Sequence, residues 1–397
     1  MKIIVQKFGG TSVATAHARE QAAAKIMQAK AEGYAPVVVV SAMGRRGDPY
    51  ATDTLIDLAR NVYPEIRPRE FDLLVSCGEI ISTVVMVQTL RKFGLDAVAM
   101  TGGQAGIVTD DNFQEARILG IGPDRILGYV RDGLIPIIAG FQGMTLAGDI
   151  TTLGRGGSDT TATALGAALK VELVEIYTDV DGVMSVDPRV AGGARVLETM
   201  TYDEICELAH NGAKVVHPRA VEIARDAGIP VRVRNTFSDS KGTLITGGKP
   251  ARVITGVTHS GGLARITVSV PRSEDDAAAK VRVFKAMSEA GISIDFVNMS
   301  SDSIIFTVKD QLADKALEAL AREDFRCECL RGCAKVSVVG AGMQEVPGIV
   351  ARVVEALYRE GISIMQTVDS EITISCLVKE DDAPRAVRAL FNEFGLS

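Results

Sequence analysis

Residues 1–248 alternate short Val/Ile-rich runs with Ala-rich stretches, and that alternation limits the fold more than any other feature of the chain. Strands are expected at 2–6, 36–41, 97–101, 135–140, 173–178 and 230–234, each with little polar interruption. Such runs suit strands covered on both faces, and strands separated by helical stretches imply an α/β layer structure with a mostly parallel sheet. Ligands of these sheets sit off the carboxyl ends of the strands. Function is therefore read in the loops that follow them.

Two loops share one plan. Ile150-Thr151-Thr152-Leu153 runs into Gly154-Arg155-Gly156-Gly157-Ser158-Asp159-Thr160, with Ser158 read as a helix N-cap and Asp159 in the first turn of a helix ending near Lys170. A helix start offers free N–H groups and a partial positive charge, glycines admit an anion to the backbone, and Arg155 adds a rigid fork of donors. Alone, this loop reads first as a tight corner. However, Lys7-Phe8-Gly9-Gly10-Thr11-Ser12 repeats it: strand, paired glycines, hydroxyl cap, helix. A lysine and an arginine at two such corners suggest two anions meeting at one sheet edge.

Further loops follow the same rule. Ser41-Ala42-Met43-Gly44 ends the second strand, Thr52-Asp53 opens a helix, and Ser76-Cys77-Gly78-Glu79 is expected to open another, where Glu79 alone reads as a dipole complement. Tyr177 to Arg189 holds Asp179, Asp181 and Asp187 without the spacing of a calcium loop. It reads as a turn cluster or as a rim for a nucleotide base and ribose. Thr201-Tyr202-Asp203-Glu204 caps a helix to about Asn211, and Gly212 stops it. Lys214 and His217-Pro218-Arg219 come next, Lys214 by itself being an ordinary surface charge.

A net charge of −7 with no basic, aromatic-interleaved stripe argues against a nucleic-acid partner. No apolar run long enough for a bilayer is evident, and the strand-like start lacks a secretory layout, so a cytoplasmic protein away from membranes is expected. The six cysteines, at 77, 206, 327, 329, 333 and 376, lack zinc spacing and are expected to be reduced thiols. Neither Gly-x-x-x-x-Gly-Lys-Ser/Thr nor Gly-x-Gly-x-x-Gly occurs, and no Ser-His-Asp or Cys-His set stands out.

The pattern loosens over 235–262, where a domain boundary is placed. Beyond it, Arg282 to Ile294 matches Arg352 to Ile364 at an offset of 352 − 282 = 70 residues. Each copy reads strand, helix, Gly stop, strand, strand: a small α+β module present twice.

Lys7 to Ser12, Gly154 to Thr160, Thr178-Asp179-Val180-Asp181-Gly182-Val183, Asp187-Pro188-Arg189 and Gly212-Ala213-Lys214-Val215-Val216-His217-Pro218-Arg219 together resemble the aspartokinase family, in order and across essentially the whole chain. The doubled modules resemble its ACT regulatory domains. Gly47 to Asp53 is nearest in character to the diaminopimelate-responsive bacterial branch, and no homoserine dehydrogenase domain follows Ser397, so a monofunctional enzyme is expected. The resemblance implies a three-layer αβα amino-acid kinase domain over 1–248. A linker over 249–262 has the option of adding a strand to the second module, and ferredoxin-like ACT domains cover 263–330 and 331–397.

It implies transfer of the ATP γ-phosphoryl to the β-carboxylate of L-aspartate, the first step toward diaminopimelate and lysine, threonine and methionine. Lys7 and Asp159 would be catalytic, Lys7 neutralising the phosphoryl and Asp159 orienting it. Ser41, Thr52, Glu79, Arg155, Gly156 and Ser158 would form the aspartate pocket. Lys7, Phe8, Gly9, Gly10, Tyr177, Thr178, Asp179, Met184, Asp187, Arg189 and Lys214 would hold ATP, with Mg²⁺ riding on the phosphates and few direct protein ligands. Ile294, Asp295, Asn298, Asp369 and Ser370 would contact a feedback effector, left open among lysine, threonine and meso-diaminopimelate. The first module carries Arg272-Ser273-Glu274-Asp275-Asp276 where a Pro-Gly turn is common, whereas the second keeps Pro347-Gly348. A homodimer or larger assembly through the ACT domains is expected. The rival readings are a kinase of glutamate, acetylglutamate or a nucleotide, and a catalytically silent amino-acid sensor.

Overall fold

The computed structural model describes residues 2–213, 215–250, 252–270, 276–343 and 346–397. They form two compact units, one of Met1–Val183, Val196–Ala209 and Lys214–Ala251, the other of Met184–Arg195, His210–Ala213 and Arg252–Ser397.

The first unit opens with β1 (Lys2–Phe8), α1 (Gly10–Val13), α2 (Ala16–Ala31), β2 (Tyr34–Val40), α3 (Thr52–Arg60) and α4 (Pro68–Lys92). There follow β3 (Ala97–Met100), β4 (Ile107–Thr109), β5 (Ile118–Ile121), α5 (Asp124–Arg131), β6 (Ile135–Ala139), β7 (Gln142–Met144) and β8 (Ile150–Thr152). Then come α6 (Gly157–Leu169), β9 (Leu173–Thr178), β10 (Thr199–Thr201), α7 (Tyr202–His210), α8 (Pro218–Ala227), β11 (Val231–Asn235) and β12 (Thr243–Thr246). Eight strands make one sheet in the order β10-β12-β11-β9-β1-β2-β6-β3, and β5-β4-β7-β8 make a smaller one. Among the described residues every pairing in the large sheet is parallel except that of β11 with β12.

The central strands are covered on both sides, as continuous Val/Ile runs require. Phe8, Val38, Val40 and Ile137 pack with Ala22, Ala23 and Ile26 of α2 and Met86 and Leu90 of α4. On the other face α6 is buried along most of its length, which its Ala, Thr and Gly residues permit by letting the helix lie close to the strands. Thr201 and Glu204 make the expected reciprocal cap: Glu204 N–H donates to Thr201 Oγ1 (3.2 Å) and Thr201 N–H to Glu204 Oε2 (2.8 Å).

Two expectations fail at α4. It begins at Pro68, so Glu79 lies mid-helix rather than in a first turn. By length and composition it is also apolar enough to cross a bilayer, although half of its most apolar window is buried inside the protein. Its buried face carries Asp72, fully enclosed, whose carboxylate accepts from Gln114 N–H, Thr152 N–H and Thr152 Oγ–H. Burial raises the Asp72 pKa against those three bonds. Asp72→Ala should lower unfolding free energy by about 2–4 kcal/mol, since three buried donors lose their acceptor; urea titration reads this, and a loss below about 1 kcal/mol would contradict the role.

The second unit holds β13 (Gly256–Ser269), α9 (Asp276–Glu289), β14 (Asp295–Met299), β15 (Ser303–Lys309), α10 (Ala313–Ala321), β16 (Arg326–Val339), α11 (Ile349–Arg359), β17 (Gln366–Asp369), β18 (Thr373–Lys379) and α12 (Ala383–Glu393). Its sheet runs β14-β15-β13-β16-β18-β17. The long β13 serves both repeats: Leu263–Ser269 pairs with β15, and Gly256–Ser260 pairs with Lys335–Val339 of β16. The register shifts at Gly261 and Gly262, between those halves. The repeat is visible in its ion pairs. Arg282 holds Glu323 and lies 4.7 Å over Phe325, while Arg352, 70 residues on, holds Glu393 and lies 4.7 Å over Phe394.

Candidate active site

Neighbouring strands β9, β1, β2 and β6 end together. Backbone bonds continue beyond them: Gly9 N–H donates to Tyr177 O (3.1 Å), Ser41 N–H to Phe8 O (3.1 Å) and Gly140 N–H to Val40 O (3.0 Å). This is the carboxyl edge of the parallel sheet, where loops leave a crevice.

Lys7 leaves β1 toward α6, and its Nζ lies 2.6 Å from Asp159 Oδ1, both side chains 12% exposed. That ion pair joins the two glycine corners. Their helix starts differ from expectation, because Ser158 is not a cap. Gly9 and Gly156 are the N-caps, and neither α1 nor α6 has a side-chain cap bond. Gly156 is left-handed (φ +69°), and a Cβ there would fall 2.2 Å from the His217 ring, so both conformation and space select glycine. The turn itself uses several of the first amides: Gly157 N–H donates to Gly154 O (3.0 Å), Asp159 N–H to Gly156 O (3.1 Å) and Ser12 N–H to Gly9 O (2.9 Å). Ser158 packs over Gly140, where a Cβ would come within 2.8 Å of its Oγ.

Glu79 is 3% exposed. Its Oε1 accepts the Ala42 N–H at 3.0 Å, while the buried Oε2 has no partner. A Cβ on Gly78 would lie 2.9 Å from Ala42 Cβ and 3.1 Å from Tyr50 O, so α4 runs directly under the loop that carries Ser41 and leads to Thr52. Burial drives the Glu79 carboxyl up to about 8. A buried acid with one idle oxygen is a receptor for a cation or a donor. Arg155 is exposed, with no partner among the described residues.

The residues expected to hold ATP divide. Phe8 and Tyr177 have buried, stacked rings (centroids 4.8 Å apart), so only their backbone reaches the crevice. Thr178 and Asp179 stand at the mouth, where Asp179 pairs with Arg45 at 2.8 Å. Met184, Asp187 and Arg189 belong to the second unit. There Val186 and Ala191 enter the core of the C-terminal module, and Arg189 grips Asp187 at 2.7 Å, holding that carboxylate below its usual pKa. Lys214 and Arg272 to Asp275 lie outside the described residues.

Three contributors escaped the sequence reading as site residues. His217 donates its backbone N–H to Asp159 Oδ2 (3.4 Å), and burial holds its imidazole below 6.5, with Arg219 and Arg155 pushing the same way against Asp159. Arg219 forks onto Leu153 O (3.0 Å) and Ala116 O (3.1 Å), clamping the loop that carries Arg155. Asp72 anchors the same loop through Thr152. The His-Pro-Arg triplet was visible, but its target was a loop about 60 residues away.

Of the effector candidates, Ile294 borders the first module's core and Asp295 Oδ2 pairs with Lys335 at 2.5 Å. Asn298 lies exposed on β14. Asp369 ends β17, and Ser370 bonds Thr373 in the turn that follows. Gln366 of β17 donates to Phe296 O of β14, so these outer strands do meet.

The amino acid kinase family profile matches residues 2–235, and ACT domain profiles match 266–323 and 328–392. Aspartokinase 1 of Bacillus subtilis is 48% identical with both chains covered completely, and the aspartokinase of Mycolicibacterium smegmatis is 41% identical over all of this chain and 97% of its own. The structure of E. coli aspartokinase III in complex with aspartate and ADP superposes with a TM-score of 0.81 at 26% identity, covering 99% of this chain and all of that one. With this agreement along its whole length, the chain belongs to the aspartokinases of the amino acid kinase family.

Proposed function

We propose that the crevice transfers the γ-phosphoryl of ATP to the β-carboxylate of L-aspartate, giving 4-phospho-L-aspartate and ADP, with Lys7 and Asp159 as its catalytic pair. The supporting observation is that pair, set where two glycine corners meet. An anionic acceptor must approach an anionic donor, and two unit charges 4 Å apart repel by about 4 kcal/mol at an effective dielectric near 20. Cations and backbone amides are therefore what catalysis needs. Lys7 neutralises the phosphoryl oxygens, Asp159 aims Lys7, and the Gly10 amide cradles the phosphate, whereas the Gly9 N–H expected to join it is held by Tyr177 O. Arg155 clamps an aspartate carboxylate, Glu79 Oε2 takes the α-ammonium, and Ser41, Thr52, Gly156 and Ser158 complete the pocket. Thr178 and Asp179 face the nucleotide, and we assign Met184, Asp187, Arg189 and Lys214 to it by resemblance.

Among the described residues no group of three or more His, Cys, Asp or Glu is poised around an ion. Mg²⁺ carried in by the nucleotide would fit such a crevice, since the nucleotide would bring most of its ligands. Bound there, it would offset phosphate charge. We further propose a cytoplasmic homo-oligomer built through the ACT domains, inhibited by an end-product amino acid at β14 and β17. Hydroxylamine trapping of acyl phosphate decides the chemistry. ATP with aspartate should give the hydroxamate and ATP with glutamate or acetylglutamate should not; trapping with glutamate alone would hand the site to another amino-acid kinase, and none at all to a silent sensor.

Glu79 predicts a pH signature. Its free-enzyme carboxyl titrates near 8, and only the anion pairs with ammonium, so kcat/KM for aspartate should rise about tenfold per pH unit below 8 and level above it. The stability sign is opposite. Above 4.5 the unfolded chain releases a proton that the fold retains, so the folded state loses stability through this group from pH 4.5 to 8. Glu79→Gln should flatten both profiles; a slope unchanged in that variant would place the titration elsewhere.

A further inference from the structure

On the face of the large sheet turned away from Lys7 lies a cavity of about 270 Å³ lined by β1, β9, β11 and α2. Register places Gln6 beside Glu175 and Glu175 beside Arg232, and in the next row Tyr177 beside Arg234. Alternate residues of a strand face opposite ways, so Gln6 points away from the Lys7 side. Over this area Lys25, Gln28 and Ala29 of α2 and Glu32, which caps it, fall at the i, i+3, i+4, i+7 spacing of one helix face. That face normally seals a sheet with apolar side chains. Here it is polar.

The polar groups form a built network. Glu175 is 4% exposed and accepts from Gln6 Nε2 (2.9 Å), Tyr177 Oη (2.9 Å) and Arg234 Nη1 (3.1 Å). Lys25, 6% exposed, is consumed by Asp239 at 2.8 Å. Two atoms remain idle. Gln6, fully buried and lining the cavity, has an Oε1 without a donor, and Arg234 has a buried Nε–H without an acceptor. Leaving such buried atoms unmatched is costly, so each is poised for a partner. Arg232 and Lys241 add positive charge at the rim.

We propose that this cavity is a second ligand site, separate from the catalytic crevice, for a small metabolite bearing a carboxylate or phosphate beside a hydroxyl or amino donor. The oxyanion meets Arg234 Nε–H under the Arg232 and Lys241 charges, and the donor meets Gln6 Oε1. Glu175 is neutralised by Arg234 and so does not repel the anion.

Calorimetric titration of the full chain with L-malate, succinate and inorganic phosphate tests this. Malate should bind saturably, and succinate, which lacks the hydroxyl, about tenfold more weakly; phosphate binding would extend the class to phosphoryl compounds. R232A/K241A, on the rim, should weaken malate about tenfold with the fold intact. Arg155→Ala, which removes the carboxylate clamp of the crevice, should leave one malate site with its affinity unchanged, which separates this site from the crevice whatever becomes of the aspartate kinase reading. No saturable binding of any probe up to about 10 mM, equal affinity for malate and succinate, or loss with Arg155→Ala but not with R232A/K241A would overturn the proposal.

Discussion

Lys7→Met should cut kcat by at least about a thousandfold while the chain stays folded, because a positioned cation in a water-poor site contributes several kcal/mol to a transition state that gains charge repulsion. The loss has two separable parts. Lys7 and Asp159 form a pair only 12% exposed, so removing one partner strands the other charge at a cost of about 3–5 kcal/mol of stability. Asp159→Asn should cost similar stability and, by freeing Lys7 from its orientation, a large share of kcat. In K7M/D159N both charges are gone, so most of the stability should return while activity stays absent. Urea titration and ADP release on the same four proteins give the cycle. Near-normal kcat in Lys7→Met ends the catalytic assignment. A double variant as unstable as the sum of the singles says that the pair is not a coupled unit.

Much of this was legible because the signals are local. The β-branched runs locate the central strands to within a residue or two, and Gly stops after Ala-rich stretches locate the helices. Strand β1 nevertheless runs to Phe8 rather than Gln6, since pairing with β2 and β9 continues two further register steps on each side. That extension is what gives Lys7 a fixed direction. The small sheet around β4, β5 and β7 was not foreseen: its strands are three or four residues long and are specified by their neighbours rather than by a period. Caps failed for a related reason. Gly156, two residues before Ser158, takes φ +69° and caps the helix, so α6 starts two residues earlier than hydroxyl capping predicts. Asp72 and Glu79 illustrate the limit most directly. In sequence each is a polar residue in an apolar helix, and only packing shows that one is fully bonded and the other has a free oxygen.

Arg155→Lys should raise KM for aspartate by about a hundredfold and leave KM for ATP within about threefold, because a planar fork that grips a carboxylate at two points becomes a single mobile ammonium. The environment makes the change severe. Gly154 and Gly156 on either side are both left-handed, and Arg219 and Asp72 clamp the loop from beneath, so the backbone cannot follow a different side chain. Charge is conserved, hence long-range attraction for either anion survives, and what is lost is geometry. Arg155→Ala should remove both and weaken aspartate further, by about another tenfold. Steady-state kinetics with each substrate varied at saturation of the other reads the split directly. Equal increases in the two KM values would mean that Arg155 serves the nucleotide as much as the amino acid, and that the two glycine corners do not divide donor from acceptor.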